Sequence, residues 1–183
     1  TLGFVPKTKN LSNAIVPTEV DNFFRKSTTQ NWVHDENAAL MGGISGNAGL
    51  FGSALDLAKM MQMYCNYGYY DMKQYISERT MKEFTKIQFP ENDNRRGLGF
   101  DKPLIGNDTL PIHKAYPAPE VSAESFGHSG FTGTFVWADP VHDLIFIFLS
   151  NRVYPSRNQR NIYNLNIRPK VQQVFYQAMN KSK

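Results

Sequence analysis

The tetrapeptide Gly127-His128-Ser129-Gly130 sets an imidazole beside a hydroxyl, with a glycine on either side. A serine held between glycines is the arrangement of a nucleophile presented on a sharp turn, G-x-S-x-G. Here Phe131 stands where the last glycine belongs, and a strand pattern follows where that turn requires a helix. The motif therefore lacks its structural context. The plainer reading is a glycine-rich corner between strands, in which Gly130 and Gly133 permit a bend and the serine satisfies a backbone group. On these residues alone the corner is the reading that stands, and the elbow is disfavoured.

Two other clusters invite chemistry by residue type. His34-Asp35-Glu36 carries metal-ligating side chains, yet three consecutive residues cannot all converge on one ion, and no second cluster lies at ligand spacing. A helix starting at Asp35 and leading into Ala38–Met41 is expected instead. Residues 42–49, GGISGNAG, have the glycine content of a phosphate loop without its Lys-Ser/Thr pair. These glycines are expected to let the backbone pass close to another segment. No metal and no cofactor are expected.

The elements that must position these residues follow from pattern. Thr132–Ala138 and Leu144–Ser150 are rich in Phe, Val, Trp and Ile and flank Asp139-Pro140, which predicts an antiparallel hairpin. Leu144–Leu149 is apolar at every position, so both faces should be covered and the strand should lie in the middle of a sheet. Ser53 with Asp56 three residues on predicts a capped helix burying Ala54, Leu57, Ala58, Met61 and Cys65. Ser77 should cap a second helix with Met81, Phe84 and Ile87 inward. Asn92–Arg96 reads as a polar loop, Gly97–Phe100 as a short strand, and Leu104–Ser122, rich in proline, as a long surface connection. After Asn166 a helix should bury the stripe Ile167, Val171, Val174, Phe175, Ala178 and Met179 against the hairpin. Pro169 is tolerated because it sits in the first turn. Thr1–Val33 shows no sustained period beyond a short strand at Asn13–Val16. Its aromatic residues Phe4, Phe23, Phe24 and Trp32 should dock it. The whole chain, 1–183, reads as a single domain with residues 1–33 as a loop-rich lead-in.

The run from Ser125 to Asn151 resembles the third motif of serine β-lactamases and penicillin-binding proteins, a K-T-G-like triad on the strand lining the active site. Class C and esterase-type relatives carry His-Thr-Gly or His-Ser-Gly there. Asn37–Met60, NAALMGGISGNAGLFGSALDLAKM, resembles the family's glycine-rich loop and helix, and Gly97-Leu98-Gly99-Phe100 also fits. The blocks occur in the family's order over roughly residues 30–180. The resemblance implies an α+β fold, an antiparallel sheet with a C-terminal helix packed on it, forming the C-terminal part of a β-lactamase/transpeptidase-like domain. It implies that His128 and Ser129 bind a substrate carboxylate or assist proton transfer. Gly130 would let substrate approach, and the Phe131 N–H would serve as one oxyanion donor. A histidine in place of the family's usual lysine weakens the anion site, since a neutral imidazole is a poorer partner. It also favours an esterase-like or amidase-like parent.

The family acylates a serine in S-x-x-K, assisted by a tyrosine in Y-x-N or Y-x-S. No serine of these 183 residues has a lysine three positions on. Tyr64-Cys65-Asn66 and Tyr154-Pro155-Ser156 match the tyrosine pattern, but both follow the glycine-rich loop that should come after it, so they read as chance. One oxyanion donor without an attacking group cannot give enzyme-level turnover. The expectation is a chain that is inactive alone. Its partners would be the N-terminal portion of a parent hydrolase and a small-molecule or peptidoglycan-like substrate. The alternative is a non-catalytic binding or structural domain.

Composition bounds the remainder. With 41% hydrophobic and 20% charged residues, the chain has material for a real core. Cys65 is the sole cysteine, so no intrachain disulfide can form. No apolar run approaches the roughly 20 residues that span a bilayer, and the start Thr1-Leu2-Gly3-Phe4 has no signal-peptide pattern. The chain reads as beginning inside a longer sequence, and the resemblance implies a periplasmic or secreted setting. The net charge of +4 is uneven, with no acid after Asp143 against Arg152, Arg157, Arg160, Arg168, Lys170, Lys181 and Lys183. No nucleic-acid motif accompanies them, so a solvated basic face is expected rather than a nucleic-acid partner. In the resembled fold one edge of the 144–150 strand is covered by a strand from the N-terminal portion, so the resemblance implies an uncovered edge here. Either the lead-in folds across it or two copies associate there. The shortage of β-rich runs in the lead-in favours a homodimer.

Overall fold

The computed structural model describes residues 2–6 and 15–181. The lead-in forms small pairs rather than one sheet. Strand β1 (Gly3–Phe4) pairs antiparallel with β4 (Leu50–Phe51), and β2 (Glu19–Asp21) with β3 (Ser27–Thr29). The turn between β2 and β3 is built on Asp21, whose carboxylate accepts from the backbone N–H of Phe23, Phe24 and Arg25. Burial alone would raise the pKa of that carboxyl, but these donors outweigh it and hold it at about 2. Of the strand expected at Asn13–Val16, Asn13 and Ala14 lie outside the described residues, and Ile15 and Val16 are not extended into a strand.

Helix α1 (Glu36–Leu40) starts where the sequence places it, with Asp35 accepting from Ala38 N–H at 2.8 Å. The glycine-rich segment then doubles back. A Cβ at Gly49 would lie 2.4 Å from the Gly43 carbonyl oxygen, a close approach open only to glycine. Helix α2 (Ala54–Cys65) carries the full reciprocal capping box of Ser53 and Asp56 and buries Met61 and Cys65. A hairpin of β5 (Tyr69–Tyr70) and β6 (Lys73–Gln74) leads to α3 (Glu78–Thr85), capped by Ser77. Met81 is buried as expected, but Phe84 is exposed and Thr85 is the second buried residue, its hydroxyl bonded to the Met81 carbonyl.

Strands β7 (Phe126–Ser129), β8 (Phe135–Asp139) and β9 (Leu144–Phe148) form one antiparallel sheet in that order. Its faces are covered by different elements. On one, Met61 and Cys65 of α2 pack against Phe126, Ala138, Val136 and Ile145. On the other, Phe135, Trp137 and Phe146 pack against Ala118, Val121 and Tyr176. The predicted first strand is shorter than its apolar run, because residues 130–134 form the turn between β7 and β8, closed by Gly130 N–H to Thr134 O at 2.8 Å.

The position of β9 corrects an expectation. The central strand is β8, and β9 lies at the edge, with no strand on its outer side among the described residues. Its continuous apolar run reflects two covered faces, and face burial says nothing about edge pairing. The described lead-in does not cross that edge. It docks instead on the segment after β9, through Val20 N–H to Pro155 O at 2.9 Å and Asn151 to Pro17 O.

Two further expectations fail, the second in part, for conformational reasons. Residues 97–100 are not a strand, since Gly99 takes a φ of +79° and Gly97 N–H closes onto Phe100 O. The extended bridge falls one residue later, between Asp101 and Gly127. Leu104–Ser122 is a surface connection only in its first half, where Ile105, Asp108, Thr109, His113 and Lys114 are exposed. Asn107 holds the rest inward by bonding Tyr116 N–H and the Ala118 carbonyl, and Ala115, Pro117, Ala118 and Val121 are buried.

Helix α4 (Asn161–Asn164) precedes α5 (Ile167–Lys181), which packs on the sheet with a rotated face. Arg168, Pro169, Gln172 and Tyr176 are buried, while Val174 and Phe175 are 61% and 50% exposed. The polar residues turn inward because partners await them. Gln172 accepts from Ala118 N–H, and the Tyr176 hydroxyl donates to Asp139 at 2.7 Å. The basic segment is a solvated face only in part: Arg160, Lys170 and Lys181 are exposed, but Arg168 is 4% exposed, and Arg157 pairs with Glu19 and Glu36. Together these elements make an α+β fold.

Candidate active site

Strand β7 presents the tetrapeptide picked out in the sequence. Successive side chains alternate between faces, and the register pairs His128 with Val136 and Ser129 with Phe135. His128 thus lies on the α2 face beyond Phe126, and Ser129 on the α5 face. His128 is exposed and Ser129 half-buried. Gly127 is required by the neighbouring strand, since a Cβ there would come within 2.1 Å of the Val136 carbonyl oxygen and 2.4 Å of the Trp137 ring.

The outer edge of β7 is only partly occupied. Gly127 exchanges both backbone hydrogen bonds with Asp101, at 2.8 and 3.0 Å. Two residues on, the backbone of Ser129 faces the same side. Its carbonyl accepts from His128 Nδ1 at 3.0 Å. An extended substrate could continue the ladder past the Asp101 bridge at this point.

The turn that follows is held by two arginines from the C-terminal segment. Arg168 donates to the carbonyls of Gly130 and Gly133, at 2.8 and 3.2 Å. Arg152 donates from Nε to the Phe131 carbonyl at 2.8 Å and from its backbone to Thr132 O. With all four carbonyls bonded, the peptide groups of Gly130 and Phe131 are fixed in orientation. The Phe131 ring lies between the Arg152 guanidinium, 4.3 Å from its centroid, and the stacked imidazole of His34, 5.7 Å away. His34 in turn bonds Glu19 at 2.8 Å, and Glu19 pairs with Arg157. Burial alone would raise the pKa of Glu19, but the Arg157 and His34 contacts bring it down to about 2.

Arg96 is the residue the sequence reading missed at this site. Its guanidinium lies 3.2 Å from His128 Nε2 and 2.7 Å from Asp101, whose backbone is bridged to β7. The only sequence signal was the pair Arg95-Arg96 directly before Gly97-Leu98-Gly99. Nothing local relates that pair to a histidine 32 residues on. Neither tyrosine of the Y-x-N/S matches has a role here: Tyr64 packs against Phe100 from α2, and Tyr154 is an exposed residue beyond the sheet. Asp35 and Glu36 act as helix cap and ion-pair partner, and no cluster able to hold a metal occurs among the described residues.

Comparison with known proteins bears on this geometry. The family model described as Beta-lactamase matches residues 12–168. A protein of Escherichia coli strain K12, named as a candidate D-alanyl-D-alanine carboxypeptidase, is 38% identical over 130 residues, which cover 70% of this chain and 28% of that protein. A protein of Salmonella gallinarum with the same name is 37% identical over the same share of each chain. The present chain therefore spans well under a third of the curated relatives it matches. A β-lactamase of known structure from Mycobacterium bovis aligns over 69% of this chain and 44% of its own, with a TM-score of 0.49 and 21% identity.

Proposed function

The chain belongs to the β-lactamase family, and from that premise we propose that it forms the C-terminal part of a serine hydrolase that works through an acyl-enzyme on an ester, amide or β-lactam. The observation that carries this reading is strand β7, which offers His128, Ser129 and Gly130 at a sheet edge left open beyond the Asp101 bridge. In this role His128 and Ser129 contact the substrate, and Gly130 allows its close approach. The Phe131 N–H supplies one oxyanion donor from the turn held by Arg152 and Arg168. The nucleophile must come from elsewhere, because these 183 residues contain no S-x-x-K. The chain alone is therefore inactive, and an N-terminal portion of the parent completes the site.

The names of the curated relatives support a cell-wall peptide ending in D-alanine as the substrate class, and with it a periplasmic or secreted setting. The rival reading, a binding domain using a basic C-terminal face, is weaker. Arg152, Arg157 and Arg168 spend their donors on carbonyls and carboxylates within the fold.

Labelling with a fluorophosphonate or a penicillin probe tests the proposal. The 183-residue chain should show no stoichiometric label and no hydrolysis of a chromogenic cephalosporin or p-nitrophenyl ester. The product of the same gene extended upstream should label once, at a serine followed three residues later by lysine. A labelled serine within the chain alone, or no label in the extended product, overturns it.

A further inference from the structure

A cleft of about 350 Å³ opens between α3 and the start of β7, lined by Tyr67, Lys82, Lys86, Lys102, Glu124 and Phe126. Lys102 is its buried cation. The residue is 4% exposed and its backbone is pinned, with Arg95 bonded to its carbonyl and the neighbouring Asp101 bridged to Gly127. Its Nζ donates to the Glu124 carbonyl at 2.8 Å and lies 5.9 Å from the Phe126 ring centroid. An ammonium has three donors, and that carbonyl is its one hydrogen-bond acceptor among the described residues. Burial disfavours the charged form. The more distant charges of Glu124 and Asp139 oppose it, yet the pKa falls to about 8. Near that pH much of the amine is neutral with a free lone pair, whereas surface lysines are almost wholly protonated.

The groups around this amine are those that condensation with a carbonyl compound needs. Glu124 brings an exposed carboxylate, with Oε2 3.5 Å from the Tyr67 hydroxyl. Tyr67 stands just beyond the end of α2 at a φ of +51°, a position that favours glycine. A bulky side chain is held there at an energetic cost and lines the cleft. Lys82 and Lys86 stand on the α3 side, and the Lys82 Nζ is 5.1 Å from the Tyr67 ring centroid. Their ion pairs with Glu78 and Glu83, at 2.6 and 2.8 Å, are solvent-exposed and so hold them weakly. Three amines thus face one carboxylate across the lining, which favours an anionic ligand.

We propose that this cleft is an imine-forming site, in which Lys102 is the nucleophile and the substrate is a small aldehyde bearing an acidic group. The neutral Nζ attacks the carbonyl carbon, and the π pair of the C=O bond moves to oxygen. The Glu124 carboxylate carries the two nitrogen protons to that oxygen. The oxygen leaves as water while the nitrogen lone pair closes the C=N bond. Amine and aldehyde give imine and water, with nothing oxidised or reduced. Lys82 and Lys86 hold the acidic group. The inference does not depend on the acyl-transfer reading.

Glyoxylate and the uncharged glycolaldehyde, each trapped on the full 183-residue chain with cyanoborohydride at pH 8 and located by peptide mass mapping, test the site. The other lysines serve as the internal reference. Glyoxylate should modify Lys102 at least about tenfold faster than any of them, and glycolaldehyde should show a smaller preference. Lys82→Ser combined with Lys86→Ser, both at exposed positions, should slow glyoxylate at Lys102 several-fold and leave glycolaldehyde unchanged. Glu124→Gln should slow both aldehydes at Lys102 without moving the melting temperature by more than the double variant does. Lys102→Arg keeps the charge and should remove the fast reaction. Modification spread evenly over the lysines of the unaltered chain overturns the proposal without recourse to any variant, as does a fast reaction that survives Lys102→Arg. Equal slowing of the two aldehydes by the double variant, or none, overturns the anionic substrate class, and indifference to Glu124→Gln overturns the proton carrier.

Discussion

Replacing Glu19 by glutamine should destabilise the fold by about 2–3 kcal/mol at neutral pH and blunt its response to acid. The carboxylate is 4% exposed and accepts from Arg157 N–H, Nε and a terminal nitrogen, at 2.9, 2.9 and 2.7 Å, and from His34 at 2.8 Å. Its pKa falls from 4.5 to about 2. At about 1.36 kcal/mol per unit, that shift corresponds to roughly 3 kcal/mol, lowered somewhat because the Arg157 side chain is a third exposed and water screens part of the attraction. The folded pKa lies below the unfolded one, so this stabilisation is complete above the unfolded value and is lost as pH falls toward 2. Glutamine keeps the shape but cannot carry the charge. Arg157 retains Glu36 at 2.8 Å, which holds the loss below the ~3–5 kcal/mol of a fully orphaned buried pair. Urea melts of both proteins, followed by tryptophan fluorescence at pH 7 and pH 3, would show a gap of about 2–3 kcal/mol shrinking to about 1. A gap below about 0.5 kcal/mol at pH 7, or one that does not narrow at pH 3, refutes the reasoning.

Gly127→Ala should cost about 3 kcal/mol or more, because its methyl would meet the Val136 backbone 2.1 Å away and the Trp137 ring at 2.4 Å; a neutral melt would mean that β7 and β8 are not in this register. Ser53→Ala should cost about 0.5–2 kcal/mol through loss of the cap on Asp56 N–H, and Ser45→Ala in the exposed glycine-rich loop should cost less. Equal effects in denaturant melts would place the start of α2 elsewhere. Burial of the Lys102 ammonium lowers its pKa to about 8. Between pH 8 and 10 the unfolded chain keeps a proton that the folded chain has released, so stability should rise there by about 1–3 kcal/mol. Lys102→Met should lack that rise, and a parallel pH profile for the two proteins contradicts the assignment.

Short-range features were legible because their physics closes within a few residues. Asp35, Ser53 and Ser77 each cap a helix by bonding an N–H three positions on, and that spacing is written in the chain. The Asp139-Pro140 turn was equally local, with Asp139 accepting from Val141 N–H. The apolar runs of β8 and β9, the latter covered on both faces, could be read as burial. The glycine-rich loop and the His128-Ser129-Gly130 strand were identified through family resemblance, not through their chemistry taken alone.

What required the tertiary structure was the identity of distant partners. An apolar run reports that water is excluded from a face, but it carries no information about which backbone groups lie along the edge, so β9 looked central when β8 is. Helical periodicity marked α5 as amphipathic, yet the buried face was chosen by hydrogen bonds to Ala118, Asp139 and the 130–133 turn, which lie 35 to 54 residues away in sequence. The seven cations after Asp143 looked like a surface because charge is expensive to bury unless it is paired. Three of them found carbonyls or carboxylates that no local pattern announces. The same holds for Arg96: its charge was visible in the sequence, but its place beside His128 exists only because Asp101 bridges to Gly127 and brings the two segments within hydrogen-bonding distance.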